Sequence, residues 1–163
     1  MPGHLTNETF LSAAEIENAG KYHFAIVVSE WNKQITEKLR NGALEIFAEC
    51  IVPIDHIISL QVPGSFELPL AAKWAIDELK ADAVLCLGCL IKGETKHDEY
   101  IAQSISQAIM RLNLDSGKPV VFGVLTVDNF QQAEDRADGK LGNKGKESAI
   151  TAIKMLNLKN KLK

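Results

Sequence analysis

Nowhere in the 163-residue chain do about 18 uncharged apolar residues run together, so no membrane-spanning helix is expected. Residues 1–20 hold no positive stretch leading into an apolar run, so no secretory signal is expected either. Neither sign of charge dominates. Lys and Arg number 18 against 21 Asp and Glu, for a formal net charge of -3. Cations cluster at the lysine-rich end, 159–163, which reads as a solvated helix end, because a nucleic-acid face needs many more of them on one surface. The cysteines are three, an odd number, in a chain long enough to bury a core without cross-links. A reduced, cytoplasmic setting fits that count.

Two of them, Cys86 and Cys89, form C-L-G-C. A redox C-x-x-C normally opens a helix, where the dipole lowers the thiol pKa. This one lies inside the apolar run 83–91, which reads as a strand, and residues three apart on a strand point to opposite faces. A tetrahedral zinc site would need a second ligand pair, and no C-x-x-C or H-x-x-x-H accompanies this one. The pair is read as structural, and no metal site is expected.

What the chain does hold is alternation. Short apolar runs at 24–29, 54–62, 83–91 and 119–127 read as strands. Between and after them, apolar residues recur at helical spacing over 33–48, 66–79, 98–114 and 145–156, with a short helical piece at 130–137. Pro69 is tolerable only in a first helical turn. Strands without polar alternation are covered on both faces, as in parallel sheets. The expectation is an α/β three-layer αβα sandwich with a four-stranded parallel sheet, flavodoxin-like in shape, in one domain spanning 1–163 with an N-terminal arm at 1–20. In such sheets ligands bind beyond the carboxyl ends of the strands.

Each strand end carries polar chemistry. After the first comes Ser29-Glu30-Trp31-Asn32, where Trp31 suits a stacking platform for a flat heterocycle and equally a cover for the helix edge. After the second comes V-P-G-S-F-E-L-P at 62–69, with Ser65 as an expected helix cap and Glu67 where the dipole favours an anion. The same turn offers backbone N–H groups and a carboxylate to a polyol. After the third comes K-G-E-T-K-H at 92–97. There Thr95 is an expected cap, and the N–H groups of Glu94 and Thr95 beside Lys92 form a candidate anion site. His97 falls at the helix start, where the dipole favours the neutral, proton-accepting ring and a bound phosphate acts the other way; position alone reads more simply as a surface histidine. His4, His23 and His56 have no such surroundings and are taken as surface residues. After the fourth strand come Arg136, able to grip a phosphate bidentately, and Lys144 just before the last helix.

In their order, S-E-W-N at 29–32, V-P-G-S-F-E-L-P at 62–69, K-G-E-T-K-H at 92–97, F-G-V-L-T at 122–126 and A-E-D-R-A-D-G-K-L-G-N-K-G at 133–145 resemble the lumazine synthases, from about residue 24 to 156. The resemblance implies an enzyme of riboflavin biosynthesis that condenses 5-amino-6-(D-ribitylamino)uracil with 3,4-dihydroxy-2-butanone 4-phosphate, and no cofactor is expected. It also implies the roles. Trp31 stacks on the pyrimidine, and Ser65, Phe66 and Glu67 bind the ribityl chain and ring. Cys89, Leu90 and Ile91 bind the uracil through their backbone, and Phe122 lines the ring pocket from the neighbouring subunit. Glu94 and Thr95 cradle the phosphate, Arg136 reaches it across a subunit boundary, His97 is the general acid/base and Lys144 a nearby charge. A homo-oligomer follows, a pentamer or a sixty-subunit icosahedral capsid, with riboflavin synthase as an associated partner. Two positions depart from the family's habit, Asp98 where an aromatic often follows the histidine, and Cys89 where a small residue is usual. The rival reading is a flavodoxin-like module that carries a flavin or lumazine without turnover. It would need no proton shuttle, so His97 with Arg136 separates the two.

Overall fold

The computed structural model describes residues 10–163. The expected arm therefore lies partly, and His4 wholly, outside the described residues. Within that arm Ala13–Ala19 form helix α1, started by a capping box in which Ser12 and Glu15 bond each other's backbone N–H. The helix is tied to the body by Lys154, whose Nζ lies 3.2 Å from the Glu15 carboxylate, and by the fully buried Ala19.

Four strands, β1 (Phe24–Ser29), β2 (Ile57–Val62), β3 (Ala83–Ile91) and β4 (Val120–Val127), pair in parallel in the order β2-β1-β3-β4, as the unbroken apolar runs require. The run at 54–62 is not one strand. Its first three residues wind into a 3-10 turn, Ile54–His56, behind Pro53, which cannot donate to a ladder. Helices α2 (Lys33–Glu49) and α6 (Lys144–Lys161) share a core with one face of the sheet, and α3 (Leu68–Asp77) and α4 (His97–Ser116) with the other. A short α5 (Phe130–Asp135) and a hairpin of β5 (Ala137–Gly139) and β6 (Gly142–Asn143) link β4 to α6.

The two faces divide the residues by parity. Phe24, Ile26, Leu85, Leu87 and Leu125 lie in one core, against Leu39, Phe47 and Ile153. Ala25, Val27, Val84 and Val124 lie in the other, against Leu68, Ile105 and Ile109. Each fully buried side chain of this size contributes about 1.5–3 kcal/mol. Parity also separates the cysteines, with Cys86 in the second core and Cys89 in the first. All three cysteines are free and buried. Burial pushes the Cys86 thiol up to about 12 and that of Cys89 up to about 11, the reverse of a redox pair.

His23 and His56 are more than solvated surface residues. They sit on residues preceding paired strands and stack with ring centroids 4.0 Å apart. Among the described residues no helix is long and apolar enough to cross a membrane, and no cluster of His, Cys, Asp or Glu is placed to hold a metal ion.

Among the described glycines the tightest is Gly145, where α6 meets α2 and an added Cβ would stand 1.8 Å from the carbonyl oxygen of Leu39. Gly145→Ala is expected to lower the unfolding free energy by at least the ~1–3 kcal/mol typical of overpacking, read as a lower urea midpoint at unchanged slope. Gly93→Ala, which would meet nothing within 4 Å, should stay within about 0.5 kcal/mol of the parent. A second expectation concerns pH. The folded Cys86 thiol keeps its proton up to about 12, whereas the unfolded one loses it from 9.0. The stability this contributes is thus fully present below the unfolded value and is lost as pH rises towards the folded one. The gap in urea midpoint between the parent and Cys86→Ala should shrink from about pH 8 to about pH 10.5.

Candidate active site

The carboxyl ends of β1, β2 and β3 open into one cleft of about 540 Å³. This is where an open α/β sheet places its ligands. Trp31 and Asn32 come from the turn after β1, Gly64 to Glu67 from the turn after β2, and Cys89 to Ile91 from the end of β3. Gly93, Thr95, His97 and Asp98 close it from the start of α4. Sequence reasoning placed Trp31, Ser65, Phe66, Glu67, Cys89, Leu90, Ile91, Thr95 and His97 at one site, and the fold brings them to this cleft.

Trp31 is 74% and Phe66 61% exposed, so neither ring is used in the core. The indole of Trp31 lies over the turn after β2, its edge 3.5 Å from where a Cβ on Gly64 would stand. That turn is built differently from expectation. Ser65 is not the cap. A 3-10 turn, Ser65–Glu67, starts at Gly64, and the Glu67 carboxylate closes it by accepting the Gly64 N–H at 2.9 Å. Ser65 is 4% exposed, and its Oγ is buried over Gly88 without a hydrogen-bond partner among the described residues.

The other expected cap is also absent. Lys96 occupies the N-cap position of α4 and no side chain bonds there, while Thr95 lines the cleft. His97 is the first residue of α4 and is exposed. Asp98 follows in the same turn and also faces the cleft.

The end of β3 has two unlike edges. In a parallel ladder alternate residues address opposite neighbours. Val84 and Lys92 donate towards β4, to Pro119 and Val127, whereas Ala83 donates towards β1, to His23. Cys89 and Ile91 therefore turn their backbone groups to the β1 side, and Leu90 turns its own to β4. This corrects the expectation that all three offer their backbone to a ligand, since that of Leu90 belongs to the ladder.

β1 ends at Ser29, and its last pairing with β3 is Val28 with Leu87, so the edge beyond is unpaired by strand. Cys89 accepts a bond there from the side-chain amide of Asn32 at 2.9 Å. The N–H and C=O of Ile91 face the cleft. Sequence reasoning gave Asn32 no role, because its partner is 57 residues away and no local pattern signals it.

Four expected residues lie outside the cleft. Phe122 is half-buried on the α3/α4 face of β4. Glu94 does not line the cavity, although its neighbours Gly93 and Thr95 do. Arg136 caps the end of α5 and donates from Nη1 to the Gln132 carbonyl at 3.2 Å. Lys144 pairs with Glu147 at 2.9 Å, and its N–H bonds the Arg136 carbonyl at 2.9 Å, so the hairpin holds the two cationic residues side by side. The cleft wall of a single chain thus carries the carboxylates Glu67 and Asp98 with His97, and neither Lys nor Arg.

The family model described as 6,7-dimethyl-8-ribityllumazine synthase matches residues 21–160. A protein of that name from Cytophaga hutchinsonii is 52% identical over 144 residues, 88% of this chain and 91% of the relative. Another from Flavobacterium johnsoniae is 51% identical over 140 residues, covering 86% of this chain and 74% of the relative. A third, from Parabacteroides distasonis, is 46% identical over 142 residues, covering 87% and 89%. On a match spanning the whole sheet, its covering helices and the cleft, the chain belongs to the 6,7-dimethyl-8-ribityllumazine synthase family.

Proposed function

We propose that this chain condenses 5-amino-6-(D-ribitylamino)uracil with 3,4-dihydroxy-2-butanone 4-phosphate to 6,7-dimethyl-8-ribityllumazine, as a single domain working in the cytoplasm. The observation that carries the reading is the cleft at the strand ends. It joins an exposed indole, an open strand edge with paired donor and acceptor, and a histidine at a helix start.

Trp31 stacks on the pyrimidine, a contact of about 0.5–1.5 kcal/mol beyond its area. Ile91, with Cys89 beside it, meets the ring's amide edge through the backbone, and Phe66 adds apolar cover. The Glu67 carboxylate, with Ser65 beside it in the same turn, suits the hydroxyls of a ribityl chain. The ring amine attacks the ketone of the second substrate and water leaves, giving a Schiff base. Phosphate is then eliminated, and the second amine closes the ring with loss of water. His97 moves the protons in these steps, and proximity of the two substrates supplies much of the rate.

Phosphate carries about -1.5 to -2 charges near neutral pH. A wall with Glu67 and Asp98 and no cation repels it, even with the helix N-terminus and the N–H groups at Glu94 and Thr95 in its favour. The reading therefore assigns Arg136, with Lys144 beside it, to the cleft of an adjacent copy, and Phe122 to that copy's ring pocket. Unburied apolar surface supports such a copy. In the 20 residues of α4 only Ile105 and Ile109 are buried, while Leu70, Trp74, Met110 and Leu114 on the α3/α4 layer are exposed. Head-to-tail contacts of this kind close into rings. The assembly is a pentamer, and twelve such rings form a sixty-subunit shell able to hold riboflavin synthase. Sedimentation separates the shell from the free ring, and an active monomer would contradict both.

The lumazine absorbance should appear when both substrates are supplied and not with either alone. Ring binding without turnover would favour the carrier module instead. His97→Ala should lower kcat by about 10²-fold or less, and unchanged kinetics from about pH 6 to 9 would remove His97 from proton transfer. Arg136→Ala should raise the KM for the keto-phosphate about 10–100-fold, as expected for a lost bond to a charged group, and that for the uracil far less. Equal losses for the two substrates would refute the assignment.

A further inference from the structure

Asn32 stands where a helix cap belongs and does not act as one. Its carbonyl accepts the N–H groups of Ile35 and Thr36 at 2.8 and 3.1 Å, so α2 starts from it. Its side chain makes no capping bond, although asparagine is among the best caps. Its backbone is left-handed, at φ 58 and ψ 43, which an L-residue adopts at a cost that asparagine bears better than most. The chain thus gives up a cap and accepts strain at one residue of the cleft. Such outliers persist where the surroundings fix them, often at functional sites.

The side chain goes instead to the Cys89 carbonyl, at 2.9 Å. Had β1 continued in register past Ser29, residue 31 would supply the donor for that carbonyl. The Trp31 N–H turns away to Pro63, at 3.3 Å, and the Asn32 amide takes the vacated place. One residue thereby ties the turn that carries Trp31 to the strand end that carries Ile91.

We propose that Asn32 is a positioning residue that sets the spacing between the Trp31 ring and the Ile91 backbone, and so selects a flat ring with an amide edge. This rests on the reading that the pyrimidine binds in this cleft. A ligand stacked on Trp31 reaches the Ile91 N–H and C=O in line only while the turn and the strand end hold their register. No group of the keto-phosphate needs that spacing.

Two substitutions separate positioning from folding. Asn32→Gly keeps the left-handed backbone without strain and removes the donor. Asn32→Asp keeps size and backbone and turns a carboxylate oxygen towards the Cys89 carbonyl. Both variants should assemble like the parent. Both should raise the KM for the ribitylamino-uracil about tenfold, the equivalent of one neutral hydrogen bond, with less than about a twofold change for the keto-phosphate. Amide hydrogen exchange over residues 88–92 should speed up in both variants without any substrate present. Unchanged exchange there, or equal rises in the two KM values, overturns the proposal. A parent that makes no lumazine overturns the function reading instead, and the exchange measurement still decides whether Asn32 holds the strand end.

Discussion

The inequality of β1 and β3 governs the site. β1 stops at Ser29, and its pairing with β3 ends at Leu87, while β3 runs on to Ile91 with β4 alone beside it. A strand buried between two neighbours has no backbone group to spare. A strand that outruns one neighbour has a short edge of them, already rigid because the other side is still laddered. That edge is held by β4 and by the Asn32 amide, with the turns after β1 and β2 wrapped around it, and on the proposed reading it is the surface that meets the substrate.

The cleft holds on its wall the side chains of Glu67, Asp98 and His97 and no Lys or Arg. Its walls are strand ends and helix starts, which add backbone polar groups, and the carboxylate of Glu67 closes its own turn by holding the Gly64 N–H. The cationic residues are carried by a separate device, the β5–β6 hairpin. Asn143 anchors it, accepting the Gly145 and Lys146 N–H groups and donating to the Lys38 carbonyl at 3.0 Å. Arg136 and Lys144 are thus fixed by one hairpin and held away from their own chain's cleft. The cleft lacks a cation and the hairpin elsewhere on the same chain carries two, a division that the proposed ring of copies would make complementary.

Much of this was legible in the residues. Strands apolar on both faces signalled the parallel sheet, and the turn residues after each strand pointed to the cleft before any geometry was known. The misreadings have physical causes. Ser12 and Glu15 spell a capping box, but a helix as short as α1 has too few periodic residues to stand out. Ser65 and Thr95 look like caps because their residue types favour it. Gly64 with Glu67 took over the first role, and nothing fills the second. Asn32 was invisible for the opposite reason, since a residue type suited to capping is spent on a distant carbonyl. Sequence order also says nothing of which residues share one chain's cavity, so Phe122, and the subunit boundary between Arg136 and the cleft, came from the family resemblance alone.

If a working site is made from two copies, as proposed, co-assembly of two damaged chains restores it. Chains carrying His97→Ala have a damaged cleft and an intact hairpin, and chains carrying Arg136→Ala have the reverse. Each should be weak by itself. If the two are unfolded, mixed in equal amounts and refolded together, random neighbours give an intact cleft facing an intact hairpin at about one site in four. The mixture should then recover about a quarter of the parent's activity. Activity no greater than the average of the two separate variants would mean that each chain holds its whole site, and would contradict the account.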